Sequence, residues 1–125
     1  MSDADILTVL GEEGVAKLVA AFYRRVRTDD LISPMYPESD WEGAEKRLAG
    51  FLIYRFGGSD DYIQQRGHPR LRMRHAPFSI GVAERDRWLE IMEAAMDEVE
   101  VPKEIYLNLK TFFKQVADFM RNREA

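Results

Sequence analysis

The sequence predicts an all-α fold, and three observations carry that expectation. Apolar residues recur at helical spacing in four long segments. No alternating run of β-branched residues makes a convincing strand. Pro34, Pro37, Pro102 and the pair Gly57-Gly58 fall where those segments begin or end.

The first face is Val15, Leu18, Val19, Phe22 and Val26, on a helix over about 14–28, with a short helix over residues 3–10 ahead of it. Pro34 and Pro37 interrupt the next stretch. Ser39 and Glu42 have capping-box spacing, so a second helix is expected to start there. Ala44, Leu48, Phe51, Leu52 and Arg55 run down one side of it, and Gly57-Gly58 supplies the positive φ of a C-terminal cap. Pro69 opens a short helix that ends near His75, where Pro77 stops it. Trp88, Ile91, Met92, Ala95, Met96 and Val99 define a third long helix. Pro102 starts a fourth, with Ile105, Leu109, Phe112, Phe113, Val116 and Met120 facing inward.

With 125 residues the chain is expected to be one domain over 1–125, and 46% hydrophobic content is enough for a core. A net charge of −4 argues against nucleic acid as a partner, because phosphate binding needs a basic surplus. The absence of cysteine excludes a disulfide framework, thiolate metal ligation and iron–sulfur clusters. It fits a cytoplasmic setting. The acidic start, Met-Ser-Asp-Ala-Asp-Ile, has no long apolar run, so neither a signal peptide nor a membrane span is expected.

The connection over 57–82 is long for a helical bundle, whose loops are usually short. A bulky cofactor beside it would account for its length. Only two histidines are present, His68 and His75, and any nitrogen ligand to a metal must come from them. His75 follows a basic stretch and precedes the apolar Ala76-Pro77-Phe78. That setting suits an imidazole holding haem iron, with neighbouring arginines meeting the haem's carboxylates. Taken alone, a histidine beside an apolar segment is more often solvated or structural than a ligand.

At this point the chain resembles the truncated haemoglobins of group II, over nearly its whole length. The most specific segment is Gln65-Arg-Gly-His-Pro-Arg-Leu-Arg-Met-Arg-His-Ala-Pro-Phe78, followed by Glu84-Arg-Asp-Arg-Trp-Leu89. Phe22-Tyr23, Met35-Tyr36-Pro37-Glu38, Ala44-Glu-Lys-Arg-Leu48 and Phe56-Gly-Gly58 support it. The resemblance implies a truncated two-over-two globin-like helical sandwich around haem b, with His75 as the iron ligand. One departure is visible: the family usually has adjacent glycines between its first two helices, whereas Gly11 and Gly14 are separated by Glu12 and Glu13.

The resemblance also implies roles for individual residues. Tyr23, Tyr36 and Trp88 would donate hydrogen bonds to a ligand on the free side of the iron. By composition alone, each is equally a packing aromatic with a wet polar end. Phe22, Ala44, Leu48, Phe51 and Met92 would line the haem pocket. Ala44 stands where many globins place a distal histidine and carries no donor. Arg47 and Arg74, with Tyr62 and His68 as further candidates, would face the haem propionates, although solvated charge is the ordinary reading of a surface arginine.

The leading functional reading is therefore a globin that binds oxygen, and other diatomic ligands such as nitric oxide or carbon monoxide, at ferrous iron. Oxygen transport is the first role such a protein suggests. Three donors around the ligand would slow its release, which suits chemistry better than transport. The alternative is thus a nitric oxide dioxygenase or a peroxidase-type enzyme using peroxide. The chain has no flavin or nicotinamide fingerprint, so either would need a separate reductase. A haem-based sensor and a haem-free helical interaction module are the remaining readings.

Overall fold

The computed structural model describes residues 3–36, 40–58 and 80–120. Among these residues there are four α-helices and no strand: α1 (Asp3–Val26), α2 (Trp41–Arg55), α3 (Val82–Glu98) and α4 (Lys103–Met120). A single 3₁₀ turn, Ser33–Met35, lies between α1 and α2.

Helix α1 combines the two helices expected over 3–10 and 14–28. They meet at a bend at Gly11, whose φ of 76° and ψ of 162° are non-helical. A side chain rarely adopts that φ, so this position favours glycine. The bend resolves the path that the spacing of Gly11 and Gly14 left open: one glycine turns the chain, and Gly14 continues as helix.

The start of α2 differs from expectation. Asp40, rather than Ser39, occupies its N-cap, and no side chain caps the helix there. The Asp40 carboxylate instead accepts a hydrogen bond from Arg47 at 2.8 Å. With the boundary one residue later, Glu42 is no longer at the third helical position that a capping box requires. Ser39 lies outside the described residues.

The other end of α2 follows the sequence closely. Gly57 has a φ of 90°. Its N–H bonds to Tyr54 O at 3.0 Å, and Gly58 N–H bonds to Ile53 O at 2.8 Å. This is a Schellman cap, which satisfies carbonyls that the helix leaves open. Helix α3 ends the same way, with Glu100 at a φ of 55° in the left-handed position and Val101 N–H bonded to Met96 O at 3.1 Å. At the start of α3, Glu84 Oε1 accepts the Gly81 N–H at 2.7 Å. For α4, Pro102 O accepts the first helical amides, from Ile105 and Tyr106.

Helix α1 is the hub, packing against α2, α3 and α4, and α3 also packs on α4. Its inward residues Val15, Leu18, Val19, Phe22 and Val26 are all essentially buried. Ile91, Met92, Ala95 and Met96 face them from α3, and Ile105, Leu109, Phe112 and Phe113 from α4. Phe56, just beyond α2, meets Phe112 edge-on with ring centres 5.0 Å apart. Among the described residues the Tyr23 hydroxyl is the polar group that enters this core, and no charged side chain is buried there. Its cohesion therefore comes from apolar burial, worth roughly 1.5–3 kcal/mol for each large side chain fully removed from water.

Candidate ligand-binding site

Phe22 and Tyr23 are consecutive on α1, about 100° apart around the helix. Both are buried, Phe22 completely. Phe22 reaches toward α3, where its ring meets Trp88 edge-on at 5.2 Å. Tyr23 meets the ring of Tyr36 edge-on at 5.4 Å. Trp88 continues to Phe113 of α4, at 5.8 Å. An aromatic wall thus runs from the turn after α1, across α1, to α3 and α4.

Three polar atoms converge on this wall. Tyr36 is hydrogen-bonded to both Tyr23 and Trp88. Indole N–H is a donor only, so the Tyr36 oxygen accepts from Trp88. Between the two phenols either can give and either can accept.

Burial dominates the acidity of both tyrosines. It pushes the Tyr23 pKa far above that of free tyrosine, and the nearby Tyr36 and its hydrogen bond raise it further. It also pushes Tyr36 up, against its two hydrogen bonds and the positive charge of Arg47. Both phenols therefore stay neutral at physiological pH.

Ala44, one turn into α2, is buried and contributes no polar atom. Phe51 and Met92 are buried, and Leu48 packs against the same core while partly exposed. The expected pocket residues of the described part thus belong to one cluster. Arg47 is close enough to lower the pKa of both tyrosines. Among the described residues its partner is Asp40, and Gly43 makes room for that pair. A Cβ on Gly43 would lie 2.9 Å from Arg47 Nη1 and closer still to the Asp40 carboxylate. His75, Arg74, His68 and Tyr62 lie outside the described residues.

Trp41 is a member of the site that the sequence reading did not single out. It sits at the first turn of α2, with ring centres 5.4 Å from Tyr36 and 6.3 Å from Tyr23. Arg27 lies over its ring at 5.7 Å, within cation–π reach. The signal was available in its position, directly after the interrupted stretch that carries Tyr36.

Four helices closing on a buried Tyr23, a partly buried Tyr36 and an indole donor define a globin-type helical sandwich. A family model described as bacterial-like globin matches residues 8–122. A group 2 truncated haemoglobin of Bacillus subtilis is 42% identical over 96 residues, 77% of this chain and 72% of its own. The crystal structure of the haemoglobin of Chloroflexus aurantiacus superposes with a TM-score of 0.89 at 42% identity, covering 94% of this chain and 98% of that one. A truncated oxygen-avid haemoglobin of Bacillus subtilis superposes with a TM-score of 0.88 at 37% identity, again covering 94% and 98%. The chain belongs to the bacterial-like globins and, among them, to the group II truncated haemoglobins with their two-over-two fold.

Membership implies a haem cofactor and a diatomic ligand such as oxygen. The residues present fit that group on their chemistry. The wall is largely apolar, and two phenol hydroxyls and an indole N–H meet at it. Among the described residues no helix is long and apolar enough to cross a membrane.

Proposed function

We propose that this chain is a single-domain cytoplasmic globin that holds haem b through His75 and retains oxygen through Tyr36. Haem, when bound, supplies the ferrous iron at which oxygen and other diatomic ligands attach. The observation that carries the reading is the meeting of Tyr23, Tyr36 and Trp88 on one aromatic wall. Trp88 gives its proton to the Tyr36 oxygen, and with Tyr23 giving its own, the Tyr36 O–H would be left to meet the ligand's negative charge. Hydrogen bonds in a dry pocket polarise one another, so two donors into Tyr36 make it a stronger donor. Phe22, Ala44, Leu48, Phe51 and Met92 keep water away from the haem face, which strengthens that bond further.

Arg47 would hold one haem carboxylate while keeping Asp40, because a guanidinium has five N–H donors. Arg74, Tyr62 and His68 would serve the same end from the connection. Both histidines of the chain lie in that connection, so the iron ligand comes from it in either case.

The same hydrogen bonding favours a second reading. A ligand held by an oriented donor leaves slowly, and slow release suits oxidation of nitric oxide or peroxidase-type chemistry better than oxygen transport. The fold brings no reductase of its own to mind, and the electron donor would be a separate protein.

The iron ligand is tested by spectroscopy of two variants. His75→Ala should lose the five-coordinate ferrous spectrum, and added imidazole should restore it. His68→Ala should keep it. The reverse pattern would assign the ligand to His68.

A further inference from the structure

We infer that Asp29 is a positioning residue for the ligand-facing hydroxyl, tying the turn that carries Tyr36 to the helix that carries Trp88. The inference rests on the proposed role of Tyr36 and adds the device that holds it in place.

Asp29 lies three residues beyond α1, between the two tyrosines in sequence, and it organises the segment leading to Tyr36. Its N–H bonds to Val26 O at 3.0 Å, and its own carbonyl accepts the Ser33 N–H at 3.0 Å. Its carboxylate Oδ1 accepts two further amides, Leu31 N–H and Ile32 N–H, each at 3.0 Å. Ile32 is thereby fixed with its side chain buried. Ser33–Met35 then forms the 3₁₀ turn, and the Tyr36 N–H closes it on Ser33 O at 3.0 Å. Every backbone hydrogen bond between Asp29 and Tyr36 thus involves Asp29 or a residue that Asp29 holds.

The second carboxylate oxygen faces the other way. Asp29 Oδ2 accepts a hydrogen bond from Arg87 Nη1 at 3.2 Å. Arg87 precedes Trp88 on α3, and Trp88 donates to the Tyr36 oxygen. One carboxylate therefore connects the two chain segments whose side chains must meet. Its side chain is only 10% exposed, against 49% for Arg87, so the pair is shielded from solvent on the acidic side. A surface ion pair alone is worth little. Here its consequence is geometric, because a small displacement between a donor and its acceptor costs most of a hydrogen bond.

The geometry separates two functions in two variants. Asp29→Asn keeps an oxygen for the Leu31 and Ile32 amides but gives up the charge that draws in Arg87. Arg87→Met leaves the turn intact and removes the tether. Both should release oxygen roughly threefold faster or more than the parent, the scale of coupling between residues that share a hydrogen-bonded network. In a Tyr36→Phe background the same substitutions should change the rate by less than about twofold, because the hydroxyl they position is gone. The tyrosine ζ-carbon resonance of Tyr36, read in the ¹³C-tyrosine-labelled carbon monoxide form, should shift in both variants, and the melting temperature of Arg87→Met should stay near that of the parent.

A purely structural role would lower the melting temperature and leave both the resonance and the dependence on Tyr36 unchanged. That result overturns the inference. So does a parental release rate and resonance in Arg87→Met, which folds without touching the turn, should Asp29→Asn fail to fold. If Tyr36→Phe alone leaves oxygen release unchanged, the role of Tyr36 itself falls, and the two failures are distinguishable.

Discussion

Replacing Tyr36 by phenylalanine should accelerate oxygen dissociation by about tenfold or more, equivalent to about 1.4 kcal/mol. The substitution keeps the ring, so its edge contact with Tyr23 and its packing on Trp41 survive. What is lost is the O–H proposed to face the ligand. Trp88→Phe and Tyr23→Phe should act in the same direction by a smaller factor, because each leaves Tyr36 its own hydroxyl. Carbon monoxide is less polarised than oxygen, so its release should change less in every case. Stopped-flow displacement measures all of these rates. A Tyr36→Phe rate within about twofold of the parent would remove the hydroxyl from the ligand's surroundings.

Replacing Phe22 by alanine should cost about 3–5 kcal/mol of stability, the range found for large aromatic residues in a packed core. Phe22 is completely buried and touches Tyr23 and Trp88 edge-on, at 5.0 and 5.2 Å between ring centres. Edge-to-face contacts of this kind add to the area term. The cavity left by its ring would adjoin two members of the hydrogen-bonded trio, so oxygen release should also quicken. Urea unfolding of the haem-loaded protein gives the measurement, with the denaturant slope checked for a change in unfolded-state compactness. A loss below about 1 kcal/mol would mean that the surrounding rings collapse into the space, as cores do to varying degrees.

The fold was legible in the sequence because its helices are amphipathic and its punctuation is strong. The apolar faces of α1, α3 and α4 were read residue by residue, and Gly57-Gly58 gave the cap of α2 directly. The start of α2 was misjudged for a physical reason. Serine at capping-box spacing is a local signal, and it lost to a non-local one: Asp40 takes the cap position while its carboxylate is drawn back along the helix to Arg47. The trio of Tyr23, Tyr36 and Trp88 was named through family resemblance, because nothing in spacing relates residues so far apart. That their side chains meet needed the structure. Trp41 and Asp29 were missed for a similar reason. A tryptophan in a first helical turn and an aspartate in a turn both have ordinary local explanations. What sets them apart is what they meet in space.

The bend at Gly11 divides α1 into a part whose rotation turns Phe22 and Tyr23 and a part whose rotation does not. Each residue added to a continuous helix turns everything beyond it by about 100°. An alanine inserted between Gly14 and Val19 would therefore swing the Phe22 ring toward the place of Tyr23 and drive the hydroxyl into apolar packing. The same insertion before Gly11 would stop at the bend, because the glycine's φ of 76° already breaks the helical phase. An early insertion would thus turn Ile6 out of the core while leaving the facing of Phe22 and Tyr23 unchanged. Absorbance titration with haem would read the contrast: full uptake with the early insertion, and impaired uptake with the late one.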